Sequence, residues 1–322
     1  MKIQIISSHP HGACSYYRAW GVFPKLKDIR CQSIETVSWQ QLADADIVFI
    51  ERPHDPTFVE AAKIVKDFGL KLWVDFDDNL FCLPDWNPAQ GFYHSKITKK
   101  CLLESMKMAD ITTVATDEIK EVYAEHCNKI EVIPNAFNDY NFKLDYKPSK
   151  NKIVLWRGSN THRGDIMPYA ENIWSTSEEN PEWQFHFMGN DLWYITDNIT
   201  NLATTEELDI IRYFHRIKMI SPSIYIVPLA FNKFNAAKSN CGWLEMTYAG
   251  AVTLAPNLPE WKKPGIVNYD NENQFKALLL ELMNDEKMRR DNYKKSLDFI
   301  GTHLKLSTIN RKREAIIKRL MK

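Results

Sequence analysis

The residues best suited to chemistry lie in one stretch, residues 238–256, which reads KSNCGWLEMTYAGAVTLAP. It opens with Lys238, Ser239 and Asn240, a cation followed by two polar side chains, and continues as a short predicted helix. The first N–H groups of a helix lack partners and the helix dipole is positive there, so a lysine at that end favours a bound phosphate. Glu245 lies one to two turns further on, where a carboxylate could accept hydrogen bonds from ribose hydroxyls. This stretch alone indicates either a phosphate and ribose site or a capped surface helix without a ligand.

A second candidate site follows the predicted strand 71–75, which runs into three acidic residues, Asp75, Asp77 and Asp78. In an open α/β sheet, ligands bind beyond the carboxyl ends of the strands. Carboxylates at that edge could bind a divalent cation or accept hydrogen bonds from substrate hydroxyls. A solvated acidic turn is the alternative, but the position and the density of charge together favour a functional role.

The start of the chain combines a predicted strand over 2–7, a polar loop containing Gly12, and a predicted helix over 16–26. This order is typical of the opening of a Rossmann-type unit. No G-x-G-x-x-G motif is present, so dinucleotide binding has weak support. Arg18, one turn into the predicted helix, could reach a ligand cleft, although an arginine at such a position is more often solvated.

Composition narrows the class of protein. A chain of 322 residues is long enough for two ordinary domains, and 44% hydrophobic with 25% charged residues is typical of a soluble globular protein. Lys plus Arg equals Asp plus Glu at 41 each, which gives no net attraction to nucleic acid or anionic membranes, although a local basic face stays possible. Six scattered cysteines without a C-x-x-C pair argue against a zinc site and a disulfide framework. The sequence shows neither a leader nor a run of ~18 apolar residues, so we expect a cytoplasmic protein, in the host cytoplasm if viral.

The elements that must position these residues form a pattern that occurs twice. Residues 46–51 contain a contiguous apolar run, as parallel strands covered on both faces require. Strands and helices alternate up to a polar segment, 145–152, which we interpret as a linker. A strand over 153–156 then restarts the alternation, and the sequence therefore predicts two Rossmann-like units.

Residues 244–250, LEMTYAG, resemble the nucleotide-sugar site of retaining glycosyltransferases of the GT-B fold, of the family 4-like branch found in bacteria and phages. Glu245 matches the second glutamate of that family's E-x7-E motif, whereas Ala237 stands where the first is expected. The Lys-Ser-Asn segment before the helix is similar to a branch in which lysine and serine face the diphosphate. The turn over 133–138, IPNAFN, resembles the I-P-N-G-V-D turn that ends the N-terminal domain of these enzymes.

The loop over 157–164, RGSNTHRG, also matches this family. The family's loop carries an arginine after the strand and a Lys-Gly pair at the next helix, and both clamp the diphosphate. Here Arg157 and an Arg-Gly pair take those places, with one extra residue between them. A surface loop with two solvated arginines is the alternative. The resemblance assigns to the donor, within this loop, Gly158, Ser159, His162 and Arg163, of which His162 is an added candidate for a phosphate or sugar contact.

The resemblance implies an α/β protein with two Rossmann-like domains in the GT-B arrangement and an inter-domain cleft. It divides the chain into an acceptor domain over 1–146, a nucleotide-sugar domain over 147–303, and a C-terminal helix over 304–322 that crosses back to the first domain. Contact of this basic tail with nucleic acid is the less favoured alternative.

The implied activity is glycosyl transfer from a nucleoside diphosphate sugar to a hydroxyl of a saccharide or glycan. Retention of configuration is expected, with the nucleotide sugar as co-substrate and with neither a metal ion nor another cofactor. The residues implied to act in catalysis are Arg157, Lys238 and Glu245. Those implied to bind the donor, besides the loop above, are Gly12, Ser239 and Asn240. The predicted acceptor-side residues are Arg18, Asp75, Asp77 and Asp78.

Two other functions fit the sequence. Short two-domain enzymes of this branch also occur in phage genomes, so the acceptor could be a hydroxymethylated or otherwise hypermodified base in DNA. The absent first glutamate would also be compatible with a nucleotide-binding protein that has no catalytic activity.

Overall fold

The computed structural model describes residues 1–10, 12–34 and 38–322. Within these residues the first β-sheet contains six parallel strands, β1 (Lys2–Ile6), β2 (Arg30–Ile34), β3 (Ile47–Glu51), β4 (Lys71–Phe76), β5 (Ile111–Val114) and β6 (Ile130–Val132). Their order across the sheet is β2-β1-β3-β4-β5-β6. Because all the pairings are parallel, the carboxyl ends of these strands meet at one edge of the sheet.

Six parallel strands within 38–322 make up a second sheet: β7 (Ile153–Arg157), β8 (Gln184–Met188), β9 (Leu202–Thr205), β10 (Ile224–Ile226), β11 (Val252–Pro256) and β12 (Ile266–Tyr269). Their spatial order, β9-β8-β7-β10-β11-β12, is that of a dinucleotide-binding sheet, in which successive strands are added first on one side of β7 and then on the other. The predicted α/β class with two Rossmann-like units is confirmed.

Helices connect the strands and cover both sheets. In the first half of the chain they are α1 (Ala13–Arg18), α2 (Trp39–Ala43), α3 (Pro56–Asp67), α4 (Gln90–Tyr93), α5 (Lys96–Met108) and α6 (Asp117–Tyr123). In the second half they are α7 (Arg163–Ile166), α8 (Ala170–Glu179), α9 (Trp193–Thr196), α10 (Ile210–Ile220), α11 (Lys233–Ala236), α12 (Cys241–Ala249), α13 (Glu272–Asn284), α14 (Glu286–His303) and α15 (Leu306–Leu320).

The strand sequences explain why both faces are covered. Every residue of β3 is buried, and its alternate side chains enter different apolar clusters: Val48 and Ile50 on one face, Ile47 and Phe49 on the other. A strand that is apolar on both sides is stable only where helices cover both faces. Some of the helices start at side-chain caps, as at Asp55, whose carboxylate accepts the Thr57 N–H at 2.8 Å.

The C-terminal helix returns to the first domain, as the predicted fold requires. The N–H of Leu306 donates to the carbonyl of Phe137 at 2.8 Å, which fixes the start of α15. Leu306 and Ile316 then join the same apolar cluster as Ile3 and Phe23 of the first domain. The exact domain boundaries stay a prediction. None of the helices in the described part of the chain is long and apolar enough to cross a membrane.

Local sequence was less informative about some element bounds. The helix predicted over 16–26 is the shorter α1, and the chain then turns so tightly that a Cβ at Gly21 would lie 2.2 Å from the Tyr16 carbonyl oxygen. The amphipathic pattern over 206–217 predicts a helix there, but α10 starts after Asp209, whose carboxylate accepts the N–H of Ile211 at 3.2 Å, and it runs to Ile220. Strands β2 and β9 and helix α14 were not predicted.

Candidate functional site

A cavity of about 680 Å³ lies between the carboxyl edge of the second sheet and the start of α1 in the first domain. Arg157 at the end of β7, His162 in the loop that follows, and Glu245 on α12 line it from the second domain. Gly12, which precedes α1, lines it from the first domain. Residues from both domains therefore surround the region in which the sequence places the donor.

Glu245 is a buried carboxylate that lines this cavity and has three side-chain partners. Its side chain is 2% exposed, and it accepts hydrogen bonds from the hydroxyls of Tyr17 and Tyr213, both at 2.8 Å. Arg157 Nε lies 2.7 Å from Glu245 Oε2 in an ion pair. Burial raises the pKa of both tyrosines well above the usual value, and the charge of Glu245 adds to the effect, so both hydroxyls stay protonated and donate.

This network fixes the Arg157 guanidinium at the carboxyl end of β7. Tyr17 belongs to the first domain and Glu245 to the second, so the same carboxylate also links the two domains. A ribose could contact Glu245 only by sharing these oxygens or displacing a tyrosine hydroxyl. The ribose contact assigned to Glu245 thus stays a prediction, whereas its position beside Arg157 is observed.

A small crevice beside the cavity brings three predicted donor groups together. Arg157, at the end of β7, and His162, from the loop that follows, line it together with Lys238 and Ser239, from the segment that precedes α12. Lys238 Nζ lies 4.8 Å from the centre of the Phe234 ring and 4.0 Å from Asp78 Oδ1 across the cleft. Two cations and an imidazole thus surround one small volume, which suits an anion.

His162 is held by a buried carboxylate. Its Nδ1 lies 3.0 Å from Asp165 Oδ2, and Asp165 Oδ1 accepts the side-chain N–H of Asn235 at 2.6 Å. Burial lowers the pKa of His162, and the positive charges of Lys238 and Arg157 lower it further, against the opposing effect of Asp165. A neutral ring that donates from Nδ1 to Asp165 leaves the lone pair of Nε2 available.

The remaining predicted donor residues differ in their positions. Arg163 is exposed and stacks on Trp193 and Tyr194, with its Cζ 5.4 Å and 5.5 Å from the two ring centres. It does not line the 680 Å³ cavity or the crevice, so the structure does not bring it together with Arg157. Asn240 is turned away and donates to the Glu260 carbonyl at 2.8 Å.

The other residues predicted to bind the donor are Gly158 and Ser159 in the loop after β7, and Ser239 before α12. Gly158 and Ser159 line the cavity, and the Ser159 hydroxyl also accepts the Thr161 N–H at 3.4 Å. Gly158 faces Gly189, at φ +136°, where an added Cβ would lie 1.8 Å from the Gly158 carbonyl oxygen. This close approach requires glycine. The Ser239 hydroxyl accepts the side-chain N–H of Asn135 at 3.0 Å.

Ala237 explains why the first glutamate of the motif is absent. Its side chain is 1% exposed and packs in an apolar cluster of the first domain. Its carbonyl accepts the hydroxyl of Thr116 at 3.0 Å. A glutamate here would place its carboxylate among apolar side chains, at a considerable desolvation cost.

The predicted acceptor role of Arg18 and Asp75 needs correction. Arg18 donates from Nε and Nη2 to the two oxygens of Asp75, both at 2.8 Å, and the two side chains are 1% and 2% exposed. Asp75 also accepts from the hydroxyl of Thr113, and Arg18 also donates to Asn135. The pair is a buried structural ion pair rather than a surface of the cleft, and each charge depends on the other, because removing one partner would leave an uncompensated buried charge.

Asp77 and Asp78 are bound by a residue that sequence reasoning missed. Arg52 pairs with Asp77 through Nε and with Asp78 through Nη2, the latter at 2.9 Å. Arg52 follows β3 directly and has φ +47°, a conformation rare for residues other than glycine. The rule that directed attention to the end of β4 also applies to the end of β3 and could have found it.

Glu51, the last residue of β3, was missed as well. It is 4% exposed and its Oε2 has no hydrogen-bond partner among the described residues. Burial raises its pKa to about 7, and the nearby charge of Asp77 contributes. Within the described part of the chain, no group of three or more His, Cys, Asp or Glu side chains is placed to hold a metal ion.

No protein-family model and no curated protein matches the sequence, but many solved structures share the whole architecture. HepE of Anabaena, in complex with UDP-glucose, superposes with a TM-score of 0.70 over 99% of this chain and 100% of its own, at 10% identity. A GT-B architecture is what these neighbours have in common with the two sheets described above. The chain has the GT-B fold.

Two further structures show the same GT-B likeness over almost their full length. A glycosyltransferase from Rickettsia africae ESF-5 has a TM-score of 0.67, with 13% identity over 100% of this chain and 98% of its own. An α-glucosyltransferase bound to UDP and a 13-mer DNA containing an HMU base has a TM-score of 0.64, with 13% identity and 99% coverage of both chains. Identities this low establish the fold, and the function must be argued from the site.

Proposed function

We propose that this protein is a glycosyltransferase that moves a sugar from a nucleoside diphosphate sugar to a hydroxyl acceptor. The observation that carries the proposal is the convergence of Arg157, Lys238 and His162 around one crevice at the carboxyl edge of the second Rossmann sheet. This edge is where α/β sheets bind nucleotides. The adjoining 680 Å³ cavity has room for the nucleoside and the sugar.

The chemistry follows from charge. As the bond between the sugar and the diphosphate breaks, negative charge grows on the departing phosphate. Arg157 and Lys238 are positioned before the reaction, Arg157 by Glu245 and Lys238 between Phe234 and Asp78. Cations that need not reorganise stabilise such charge most effectively.

Retention and independence from metal ions form part of the proposal. The protein supplies cations at the crevice, which would take the place of a metal ion on the diphosphate. A front-face mechanism, in which the donor phosphate accepts the proton of the acceptor hydroxyl, is the retaining route that needs no protein base. Product anomeric configuration, read by NMR, would distinguish retention from inversion.

A saccharide or glycan is the acceptor we favour, and modified DNA is the second candidate. The DNA alternative is supported by the likeness to the α-glucosyltransferase whose structure contains UDP and DNA with an HMU base. The equal numbers of acidic and basic residues give no general attraction to DNA. A cytoplasmic location would suit either acceptor.

The test is release of nucleoside diphosphate from a panel of UDP-, GDP-, ADP- and dTDP-sugars. Each donor is combined with a saccharide panel and with duplex DNA that contains hydroxymethylated bases. Turnover that depends on a saccharide supports the first candidate, and turnover that depends on the modified DNA supports the second. Thermal stabilisation by a nucleotide sugar without turnover under any condition would favour a non-catalytic binding protein and contradict the proposal.

A further inference from the structure

His162 combines three features that suit it to contact a bound diphosphate. It lines both the 680 Å³ cavity and the crevice that holds Lys238. Its Nδ1 is engaged by Asp165, so Nε2 is the ring atom left for a ligand. The ring is 22% exposed, which is enough for direct contact and too little for full hydration.

The carboxylate behind His162 is itself fixed. Asp165 is 2% exposed, and its Oδ1 accepts from the Asn235 side chain at 2.6 Å and from the Ala230 N–H at 3.3 Å. Asn235 is fully buried and also donates to the Ala230 carbonyl at 2.9 Å. A buried carboxylate held in this way orients the imidazole and stabilises its cationic form when a negative ligand arrives.

We propose that His162, oriented by Asp165, takes up a proton when a nucleotide sugar binds and becomes a third cationic contact for the diphosphate. This inference rests on the proposed function and adds a residue and a proton to the binding step. The proton comes from solvent and stays on the ring, so that Nε2–H donates to a phosphate oxygen while Nδ1–H donates to Asp165.

The charged groups that face His162 explain why its pKa should rise when a diphosphate binds. Without ligand, Lys238 and Arg157 repel a proton on the ring and burial opposes it, whereas Asp165 favours it. A diphosphate brings negative charge to the same crevice, which offsets Lys238 and Arg157 and adds an attractive partner. The pKa of His162, lowered in the free protein, therefore rises in the complex.

Proton uptake can be measured directly by isothermal titration calorimetry with UDP-glucose. Its diphosphate carries no proton that titrates near neutral pH, so the ligand itself does not obscure the signal. Titrations at one pH in buffers of different ionisation enthalpy give the number of protons taken up. We expect uptake in the wild type, and an affinity that increases as pH falls, by up to tenfold per pH unit between the two pKa values of His162.

Three variants separate the roles. His162→Gln should abolish uptake and flatten the pH dependence while UDP-glucose still binds, and Asp165→Asn should reduce uptake because the charge behind the ring is lost. His186→Gln is the matched control: His186 is another histidine of the same domain, it is buried and hydrogen-bonded to Thr205 at 2.8 Å, and it lines neither the cavity nor the crevice. It should leave the uptake unchanged.

The possible failures are distinguishable. Binding of UDP-glucose by the wild type without proton uptake, or uptake that persists in His162→Gln, overturns the role of His162 and leaves the proposed function intact. If UDP-glucose does not bind, the same measurement is made with the other members of the panel of UDP-, GDP-, ADP- and dTDP-sugars. Binding of no member of the panel contradicts the proposed function and this inference with it.

Discussion

The carboxyl edges of the two sheets face each other across the cleft, and they differ in how completely their charged side chains are paired. On the first edge, Arg18 pairs with Asp75 and Arg52 pairs with Asp77 and Asp78. On the second edge, Glu245 forms an ion pair with Arg157, whereas Lys238 and His162 line the crevice. Among the described residues, the only carboxylate within 4.0 Å of the Lys238 ammonium group is that of Asp78, on the opposite edge. The two arginines of the first edge are thus paired with carboxylates of the same edge, whereas Lys238 and His162 of the second edge face the crevice.

This difference suggests how one architecture, used twice, yields two kinds of surface. Ion pairs that are complete and buried fix a wall, since removing either partner leaves an unpaired charge in a poorly solvated place. A site that must bind an anion needs cations whose partners do not fully satisfy them. The strand order sets where the edges lie, and the completeness of their pairing sets what each edge can do.

The largest effect should come from breaking the buried pair of the first edge. Asp75→Ala leaves the Arg18 guanidinium buried without its partner, and we expect a loss of about 3–5 kcal/mol in the free energy of unfolding. Denaturant unfolding checks this. Asp78→Asn is the control, because that side chain is 23% exposed and should cost far less. An Asp75→Ala protein of wild-type stability would mean that the first edge is not the fixed wall described here.

On the second edge, Lys238→Ala should lower turnover more than donor affinity. Charge on the leaving group grows in the transition state, so we expect a loss of roughly 2–4 kcal/mol in transition-state stabilisation. Steady-state kinetics with the best donor measure it. Arg163→Ala is the matched control, an exposed arginine that lines neither the 680 Å³ cavity nor the crevice, and it should change kcat/KM much less. Equal losses in both variants would place Arg163 at the diphosphate in the working enzyme.

Glu51 provides a pH test of the first edge. Its pKa of about 7 exceeds the usual value of 4.5, so the folded state binds its proton more tightly than the unfolded state. The resulting stability is present at low pH and is lost as pH rises through 7, by up to about 3 kcal/mol. Glu51→Gln should therefore be more stable than wild type at pH 8 and lose part of the pH dependence of unfolding. Glu60→Gln, at an exposed position on α3, should behave as wild type. A Glu51→Gln protein that is less stable than wild type at pH 8 would show that the carboxylate is needed in its charged form.

Asp78 tests whether the edges share a ligand. Asp78→Asn keeps the shape and loses the charge that neutralises Arg52 and approaches Lys238. We expect nucleotide binding and slow donor hydrolysis to persist while transfer to the acceptor falls. Both activities are measured on the same preparation. Loss of nucleotide binding in a folded protein would assign Asp78 to the donor, and unchanged transfer would reduce it to a structural carboxylate.

The smallest effect is expected from a chelator. Because Arg157 and Lys238 supply positive charge at the crevice, transfer should continue in EDTA at the wild-type rate. Assays with and without added Mg²⁺ or Mn²⁺ check this. Activity that disappears in chelator and returns with either ion would move the acidic residues of the first edge to the donor.

The fold followed largely from local patterns. The apolar run that becomes β3 and the strand-to-helix alternation that restarts at β7 both depend on residues close in sequence, so two Rossmann-like units were predictable. The prediction of a phosphate site at the segment before α12 came from the same source, because a lysine next to a helix start is visible in the sequence, and it stays a prediction. Strand β9, with alternating exposed and partly buried residues at the sheet edge, lacked such a signal.

Which side chains form the site depends on contacts between segments that are far apart in the sequence. Arg18 and Asp75 are 57 residues apart and Tyr17 and Glu245 are 228 apart, and these pairings exist only because the strand order brings their segments together. Arg157 and Arg163 looked equivalent in one loop, but only the first points into the cavity. The sequence by itself determined the two sheets and the residue types at their edges, because the periodicity and the ends of strands depend on residues that are close together in the sequence. Tertiary structure decided which charges are neutralised and which stay available, because burial and partner distance are properties of the folded chain.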